Sequence, residues 1–165
     1  MRVLNFNINH KQMKNIVLVD IDGTLSNQDH RNHFLTQSPK DWNSYFQACD
    51  KDEPIQDVID MVKHLSASGY SIVYCTGRKE SVRQKTKEWI GEYVHGNKLV
   101  LPFDSYLLMR KDGDFRHDTE AKPELLKEAR ISLDDIAFVL EDRNSMVKKW
   151  RELGLTCLQV AEGDF

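Results

Sequence analysis

The chain has 165 residues, 40% of them hydrophobic, which suits a single globular domain with a sizeable core. A formal net charge of −3 and an isoelectric point near 6.1 exclude a globally basic surface, so any contact with nucleic acid requires a local patch. The three cysteines, Cys49, Cys75 and Cys157, form no Cys-x-x-Cys pair, which favours reduced, mostly buried thiols over a disulfide framework or a zinc site.

Strands and helices alternate along the sequence. Apolar runs predict five strands, at Ile16–Ile21, Tyr70–Cys75, Ser105–Met109, Ile136–Leu140 and Thr156–Val160. Periodicity and Pro or Gly boundaries predict four helices, at Ile55–Ser68, Glu80–Glu92, Pro123–Arg130 and Asn144–Leu153. This alternation is typical of an α/β fold with a central parallel sheet and helices on both faces. No repeat or linker divides the chain, so we expect one domain over residues 1–165, in which the residues before Met13 fit either a frayed tail or an extra edge strand.

A polar and aromatic insert, Ser26–Glu53, separates the first strand from the first helix. Loops of this length are usually lids or disordered segments. Trp42, Tyr45 and Phe46 fall at helical spacing, which predicts a short helix that docks on the body of the domain. Base stacking is the less favoured role for these rings. The insert is too small for a separate cap domain, so we expect a minimal lid.

Two aspartates one residue apart, Asp20 and Asp22, follow the first predicted strand and precede a Gly-Thr turn. Open parallel sheets carry their chemistry just beyond the carboxyl ends of the strands. The two carboxylates repel each other unless a metal ion or a shared proton separates their roles. An Asp-Gly turn after a core strand accounts for the pair in isolation, so its significance depends on the other strand ends.

Polar groups follow two further strands. Thr76, Gly77 and Arg78 come after the second strand, and Glu141 and Asp142 come after the fourth. Between them, Lys122 precedes Pro123 and a helical run. If the strands are parallel, these groups meet Asp20 and Asp22 at one edge of the sheet. The set offers a nucleophile, an acid and base, donors for anionic oxygens and carboxylates for a hard cation, which fits Mg²⁺-assisted phosphoryl transfer through an aspartyl-phosphate.

The order of these motifs resembles the haloacid dehalogenase superfamily of phosphatases. The matching residues span nearly the whole chain and are Asp20-Ile-Asp22-Gly-Thr24, Thr76, Lys122 and Glu141-Asp142. The resemblance implies a Rossmann-like core in which Asp20 is the nucleophile, Asp22 the general acid and then base, and Thr76 and Lys122 bind the phosphate oxygens. It also implies Mg²⁺ held by Asp20, Asp142 and the backbone carbonyl of Asp22.

A closer resemblance is to the 3′-phosphatase domain of bacteriophage polynucleotide kinase–phosphatases. It is carried by Arg31, by Thr76-Gly77-Arg78, by the stretch from Gly113 to Lys122 and by the residues around Glu141-Asp142. The resemblance implies that Arg31, Gly77, Arg78 and Asp118 bind substrate or orient the groups that do. Glu141 departs from the usual aspartate at its position, so we expect Glu141 to support the metal site behind Asp142.

Several of these residues also have ordinary explanations. Arg31 and Arg78 fit surface arginines, and Asp118 fits a helix cap. Lys122 alone fits a solvated lysine at a helix start. His30 and His33 are three residues apart, but no third ligand is obvious, so a metal pair is disfavoured. The basic segment Arg110–Asp118 suits a nucleic-acid backbone, although three aspartates interleave with its cations.

These features predict a polynucleotide 3′-phosphatase that acts on DNA or RNA ends. The alternatives are a nucleotidase that acts on free mononucleotides and, more remotely, a non-catalytic phosphate-binding subunit. No Gly-x-x-x-x-Gly-Lys-Ser/Thr loop occurs in these residues, so ATP-dependent 5′-phosphorylation is not expected of them. The sequence leaves open whether a separate kinase or ligase partner exists. Residues 1–14 hold no apolar h-region and no apolar run approaches the length of a membrane span, so we expect a cytoplasmic protein without a membrane partner.

Overall fold

The computed structural model describes residues 14–96 and 106–163. In chain order its strands are β1 (Ile16–Val19), β2 (Ser26–Asn27), β3 (Glu53–Pro54), β4 (Ser71–Lys79), β5 (Leu107–Arg110), β6 (Ile136–Arg143) and β7 (Cys157–Gly163). Its helices are α1 (His33–Thr36), α2 (Trp42–Gln47), α3 (Gln56–Ala67), α4 (Arg83–Tyr93), α5 (Asp118–Glu128) and α6 (Asn144–Glu152). The prediction for the residues before Met13 lies outside the described residues.

A parallel sheet organises the domain, with strand order β5-β4-β1-β6-β7 in the described part of the chain. β1 is the central strand, because β4 and β6 pair with its two sides. The predicted α/β class is therefore confirmed. All the carboxyl ends point to one edge, so Asp20 and Asp22, which follow β1, lie beside the polar groups at the ends of β4 and β6.

Alternating side chains of β1 supply two cores, one on each face of the sheet. Val17 and Val19 belong to the core that α3 and α4 cover, through residues such as Trp89. Leu18 points the other way, into the core that α5 and α6 cover, where Trp150 is fully buried. Burial of this kind contributes roughly 1.5–3 kcal/mol for each large apolar side chain. The two layers together fix the orientation of the carboxyl edge of the sheet.

The two ends of the insert pair as the short antiparallel strands β2 and β3, in which Ser26 faces Pro54 and Asn27 faces Glu53. The predicted short helix is α2, which Asp41 caps by accepting a hydrogen bond from the Ser44 backbone N–H at 2.9 Å. The insert lies against the carboxyl edge of the sheet, where its Arg31 contacts Asp22 and its Asp52 contacts Arg78.

Several element boundaries differ from the sequence prediction, and three of these differences bear on the site. β4 continues to Lys79, where a register irregularity lets Lys79 pair with Arg110, so Thr76-Gly77-Arg78 is strand and not a turn. β6 continues to Arg143 in the same way, beside β7. α5 begins at Asp118 and not at Pro123, because the His117 side chain accepts from the Thr119 backbone N–H and forms the first turn upstream of the proline.

All three cysteines are buried and free, as predicted. Within the described residues, none of the helices combines the length and the apolar character that a bilayer crossing requires.

Candidate active site

Asp20 follows the last residue of β1 and is almost fully buried at the carboxyl edge of the sheet. Lys122, in the middle of α5, donates through Nζ to Asp20 Oδ1 at 2.6 Å and to Glu141 Oε2 at 2.8 Å. Glu141 stands on β6, one residue beyond the position that pairs with Val19 of β1. One buried ammonium therefore joins the ends of two neighbouring strands.

Asp20, Glu141 and Asp142 form the one group of three potential metal-ligating side chains among the described residues. Each offers a carboxylate oxygen, and these atoms all lie within 4.8 Å of one another. Three buried carboxylates around a single lysine leave an excess of negative charge, and oxygen donors are those that Mg²⁺ prefers. The donor set therefore fits Mg²⁺. The Asp22 carboxylate lies outside this group, so ligation by Asp22 rests on the predicted backbone carbonyl.

Asp142 is held closely by its surroundings. Thr24 donates its hydroxyl to Asp142 Oδ1 at 3.2 Å. A side chain at Gly23 would overlap Asp142 Oδ2, and the φ angle of Gly23 is +86°, in the left-handed region that glycine tolerates. A Cβ at Gly163 would also lie 2.8 Å from Asp142 Oδ2. Two glycines thus give this carboxylate its space.

The buried charges alter the proton affinities of the cluster. Burial, with the charge of Glu141, raises the pKa of Asp20 to about 7 although Lys122 opposes the shift. Burial and the charge of Asp20 raise the pKa of Asp142 to about 6. Burial alone would lower the pKa of Lys122, but Asp20 and Glu141 raise it well above its ordinary value. In the absence of a bound metal ion, burial and mutual repulsion therefore make the ionised forms of these carboxylates unfavourable.

Asp22 belongs to a second network, which it forms with Arg31, Arg78 and Asp52. Arg78 donates through Nε to both Asp22 oxygens, at 3.0 and 3.1 Å, and through Nη2 to Oδ1 at 2.7 Å. Arg31 donates to the same Oδ1 through Nη2. Asp52 accepts from both guanidinium groups, at 2.7 Å in each of three contacts. The network contains two anions and two cations and is balanced in charge.

The four side chains of this network are buried or nearly so, and their charges determine the ionisation of Asp22. The side chains of Arg31, Arg78 and Asp52 are fully buried, whereas that of Asp22 is 18% exposed and covers the two guanidinium groups. Burial would raise the pKa of Asp22, but Arg78 and Arg31 reverse the effect and hold it well below its usual range. Asp22 is therefore ionised here, and phosphate contact by Arg31 and Arg78 stays a prediction.

The remaining predicted groups surround the end of β4. The Thr76 hydroxyl accepts from the Arg78 backbone N–H at 3.1 Å, which leaves its proton for another acceptor. Gly77 makes room for Asp118, since a Cβ there would lie 2.8 Å from Asp118 Oδ1. Asp118 is the first residue of α5, not its cap. It accepts from Arg110 through Oδ1, and through Oδ2 from Arg143 at 2.8 Å.

Sequence reasoning did not identify Asp52, which lies among several charged residues of the insert and has no motif that distinguishes it. It also gave no role to Arg143, although that residue directly follows the Glu141-Asp142 motif. His30 contacts Asp52 at 2.9 Å, and the ring of His33 contacts the His30 carbonyl oxygen at 3.0 Å. Neither histidine belongs to a metal-ligating group within the described residues.

The site thus combines a buried carboxylate held by a lysine, a potential cation site and a second carboxylate two residues away. A hydroxyl donor and two arginines complete the set. These groups suit attack on a phosphoester and stabilisation of the charge that develops on its oxygens.

Comparison with known proteins assigns this arrangement to a family. Residues 14–165 match the family model described as the polynucleotide kinase PNKP phosphatase domain. In the solved structure titled "Structure of Pnkp1/Rnl/Hen1 complex", the similar region is 31% identical with a TM-score of 0.74, and it covers 93% of this chain and 48% of that chain. A class C acid phosphatase from Bacillus anthracis with tungstate bound has a TM-score of 0.61 at 17% identity, covers 91% of this chain and 68% of that chain, and shares the fold.

Two curated relatives are much longer than this chain. Phosphatidate phosphatase LPIN3 of Mus musculus is 29% identical over 71% of this chain and 13% of its own length. The putative bifunctional polynucleotide kinase/RNA ligase of Autographa californica nuclear polyhedrosis virus is 28% identical over 83% of this chain and 18% of its own length. Because the family model covers nearly the whole sequence, the chain belongs to the family of polynucleotide kinase PNKP phosphatase domains, which are phosphomonoester hydrolases of the haloacid dehalogenase type.

Proposed function

We propose that the chain removes the 3′-phosphate from the ends of DNA or RNA. The observation that carries the proposal is the placement of the Lys122–Asp20–Glu141 bridge within hydrogen-bonding distances at the edge where Asp22, Thr76 and Arg78 also converge. The family match supports a polynucleotide as the substrate. The reaction leaves a 3′-hydroxyl and inorganic phosphate.

Asp20 is the proposed nucleophile. Its carboxylate oxygen attacks phosphorus, a new phosphorus–oxygen bond forms, and the bond to the sugar oxygen breaks. Lys122 neutralises Asp20 and donates to the oxygens of the transferred group, together with the hydroxyl of Thr76. Asp20, Asp142 and the Asp22 carbonyl would hold Mg²⁺, with Glu141 behind them. When bound, the ion supplies positive charge that screens the approach of an anionic phosphate.

Asp22 is the proposed acid and base. It protonates the departing sugar oxygen, and it then takes a proton from the water that attacks phosphorus and releases phosphate from Asp20. In this structure Arg31 and Arg78 hold Asp22 as an anion, which is the state that accepts a proton. Its action as an acid therefore requires that the side chain leave the two guanidinium groups and take up a proton from solvent before the sugar oxygen departs. A phosphate that replaces Asp22 on Arg31 or Arg78 would favour this movement.

The experiment compares rates on a 3′-phosphorylated oligonucleotide with those on 3′- and 5′-mononucleotides, with Mg²⁺ and with a chelator. We expect the highest kcat/KM on the oligonucleotide and loss of turnover without the metal. A strong preference for the 5′-mononucleotide would instead identify a nucleotidase. Absence of turnover on every substrate would identify a non-catalytic phosphate-binding protein.

We further propose that a separate kinase or ligase activity works with this chain. The ligase would join the product 3′-hydroxyl to a 5′-phosphate, which the kinase would supply. The relative from the polyhedrosis virus is described as a polynucleotide kinase/RNA ligase, and the similar solved structure is a complex of Pnkp1 with Rnl and Hen1. A nick with a 3′-phosphate should be sealed by an added ligase only after incubation with this protein. Sealing without that incubation would remove the reason for such a partnership.

A further inference from the structure

Phe115 is the most exposed large hydrophobic side chain in the part of the chain that the structure describes, with 83% of its surface accessible. It lies in the segment between β5 and α5, beside the catalytic edge. Trp42, on the insert helix α2, is 46% exposed. A ring as exposed as that of Phe115 contributes little apolar burial to the fold, and an exposed apolar side chain indicates a binding surface only where it joins others.

Lys79, the last residue of β4, lies between Phe115 and the aromatic rings of α2. Its ammonium lies 5.0 Å from the ring centroid of Phe115 and 5.7 Å from that of Phe46. Phe46 in turn stacks with Trp42, with centroids 6.0 Å apart and ring planes at 26°. Lys40 lies 5.7 Å from the Trp42 centroid. Three rings and two cations thus form one continuous row of contacts, the aromatic row, made of Lys40, Trp42, Phe46, Lys79 and Phe115.

The aromatic row adjoins the catalytic edge through its immediate neighbours in sequence. Lys79 follows Arg78, which holds Asp22. Phe46 follows Tyr45, whose buried ring lies 4.2 Å from the guanidinium carbon of Arg31. A chain that runs along the row would therefore reach the Asp22–Arg31–Arg78 network.

The acidic residues near Phe115 are already engaged by groups of the protein. Asp114 accepts from the Arg116 backbone N–H at 3.0 Å and from its guanidinium Nη2 at 2.7 Å. Asp112 accepts from the Ser81 backbone N–H at 3.2 Å. These contacts shape the loop that presents Phe115, and they lessen the repulsion that the aspartates would exert on an anionic chain.

We propose that the aromatic row binds the single-stranded nucleotides that precede the 3′-phosphate, an inference that rests on the proposed polynucleotide activity. Bases stack on Phe115 and Trp42, and Lys79 and Lys40 lie close to the sugar–phosphate backbone. Aromatic platforms interleaved with cations suit single strands of any sequence, because every base has a π face. We therefore expect the affinity to increase with the length of the single strand and to depend little on its base sequence.

The test uses three variants of the aromatic row and one control variant. Phe115→Ala and Trp42→Ala each remove one ring, and Phe115→Trp keeps a π face at the first position. Met61→Ala, on α3, is the control for loss of an exposed apolar side chain away from the row. Each variant is assayed on a 3′-phosphorylated single strand of about eight nucleotides, within the usual site size, and on a 3′-mononucleotide.

We expect each alanine variant of the row to raise KM for the oligonucleotide by roughly 10-fold, the scale of one lost base stack. kcat and turnover of the mononucleotide should not change, and Phe115→Trp and Met61→Ala should behave as wild type. Equal losses on both substrates, or no loss on the oligonucleotide, would overturn the proposal.

A binding measurement separates this proposal from the proposed activity. Fluorescence anisotropy with a labelled single strand that ends in a 3′-hydroxyl should show weaker binding by the alanine variants, even if the wild type prefers another phosphoester. The salt dependence of binding should not change, because no cation is lost. A parallel assay uses phosphatidylcholine vesicles that contain phosphatidate. If Phe115→Ala reduces binding to vesicles and leaves oligonucleotide binding intact, the row is a membrane contact and the proposal is wrong.

Discussion

Asp52 accepts two hydrogen bonds from the guanidinium of Arg31, from Nε to Oδ1 and from Nη2 to Oδ2, each at 2.7 Å. Its Oδ2 also accepts from Arg78 at 2.7 Å. The Asp52 backbone carbonyl accepts from the indole N–H of Trp89 at 2.8 Å. The carboxylate thus ties the end of the insert to β4, and its main chain is anchored to α4. Two arginines near the reacting groups depend on a residue that has no direct place in the proposed chemistry.

Asp52→Asn should weaken both the fold and the reaction. Among the described residues, the variant leaves Asp22 as the one carboxylate paired with the two buried guanidinium groups, and removal of one member of a buried ion pair costs about 3–5 kcal/mol. We expect a free energy of unfolding lower by about 3 kcal/mol in chemical denaturation, since asparagine retains one acceptor. Turnover should fall because Arg31 and Arg78 lose their fixed positions.

Asp50→Asn is the matched control for that variant. Asp50 is an exposed acid of the same segment and contacts Lys85 at 3.3 Å. Exposed ion pairs contribute roughly 0–1 kcal/mol, so stability and turnover should stay near wild type. Equal effects of the two substitutions would contradict the special position of Asp52.

Asp20→Asn should abolish turnover and preserve the fold. The amide cannot form the covalent phosphate bond, and loss of a catalytic nucleophile typically costs on the order of 10⁶-fold in kcat. Circular dichroism and the unfolding midpoint check the fold, since Lys122 keeps its bond to Glu141. A rate near wild type would exclude Asp20 as the nucleophile.

Much of the fold and of the site was predictable from the sequence. The apolar run before Asp20 and the alternation of elements predict a parallel sheet, and the polar residues after each strand predict a shared edge. The continuation of β4 to Lys79 was not predictable, because Thr76 and Gly77 are also typical of turns. Strand pairing with Arg110, a contact distant in sequence, decides that boundary.

Asp52 shows the second limit of sequence reasoning. Its neighbours in sequence are charged and mostly exposed, so its local pattern is that of a solvated loop. Its burial results from the folding of the insert against β4, which brings Arg31 and Arg78 to it from either side. Lys122 was identified by its motif, but its position inside α5 depends on the capping of that helix by His117.

The stability of the metal-free protein should fall as the pH rises. Asp20 and Asp142 have pKa values of about 7 and about 6 in the folded protein, against about 4 in an unfolded chain. Between these limits the folded protein binds more protons than the unfolded one, so stabilisation by protonation is present at acidic pH and is lost through pH 6 to 7. Thermal unfolding in a chelator at several pH values measures the effect.

Addition of Mg²⁺ should therefore raise the unfolding midpoint more at alkaline than at acidic pH, because protons no longer compete for the carboxylates. Asp20→Asn should show a shallower dependence of the midpoint on pH in the chelator. A midpoint that rises with pH across this window in the metal-free protein would contradict the raised pKa values.

Gly77→Ala should disturb the site through Asp118. A Cβ at this position would lie 2.8 Å from Asp118 Oδ1, closer than real Cβ contacts occur, so either β4 or the start of α5 has to move. Movement of Asp118 disturbs its bonds to Arg110 and Arg143, and it shifts the helix that carries Lys122. We expect a loss of about 1–3 kcal/mol in stability, as in overpacked cores, and a fall in kcat.

Gly91→Ala is the control: nothing lies within 4 Å of its added Cβ, and alanine inside α4 should stabilise by about 0.5–1 kcal/mol. If Gly77→Ala also stabilises and leaves kcat unchanged, the close approach of Asp118 to β4 has no role in positioning Lys122.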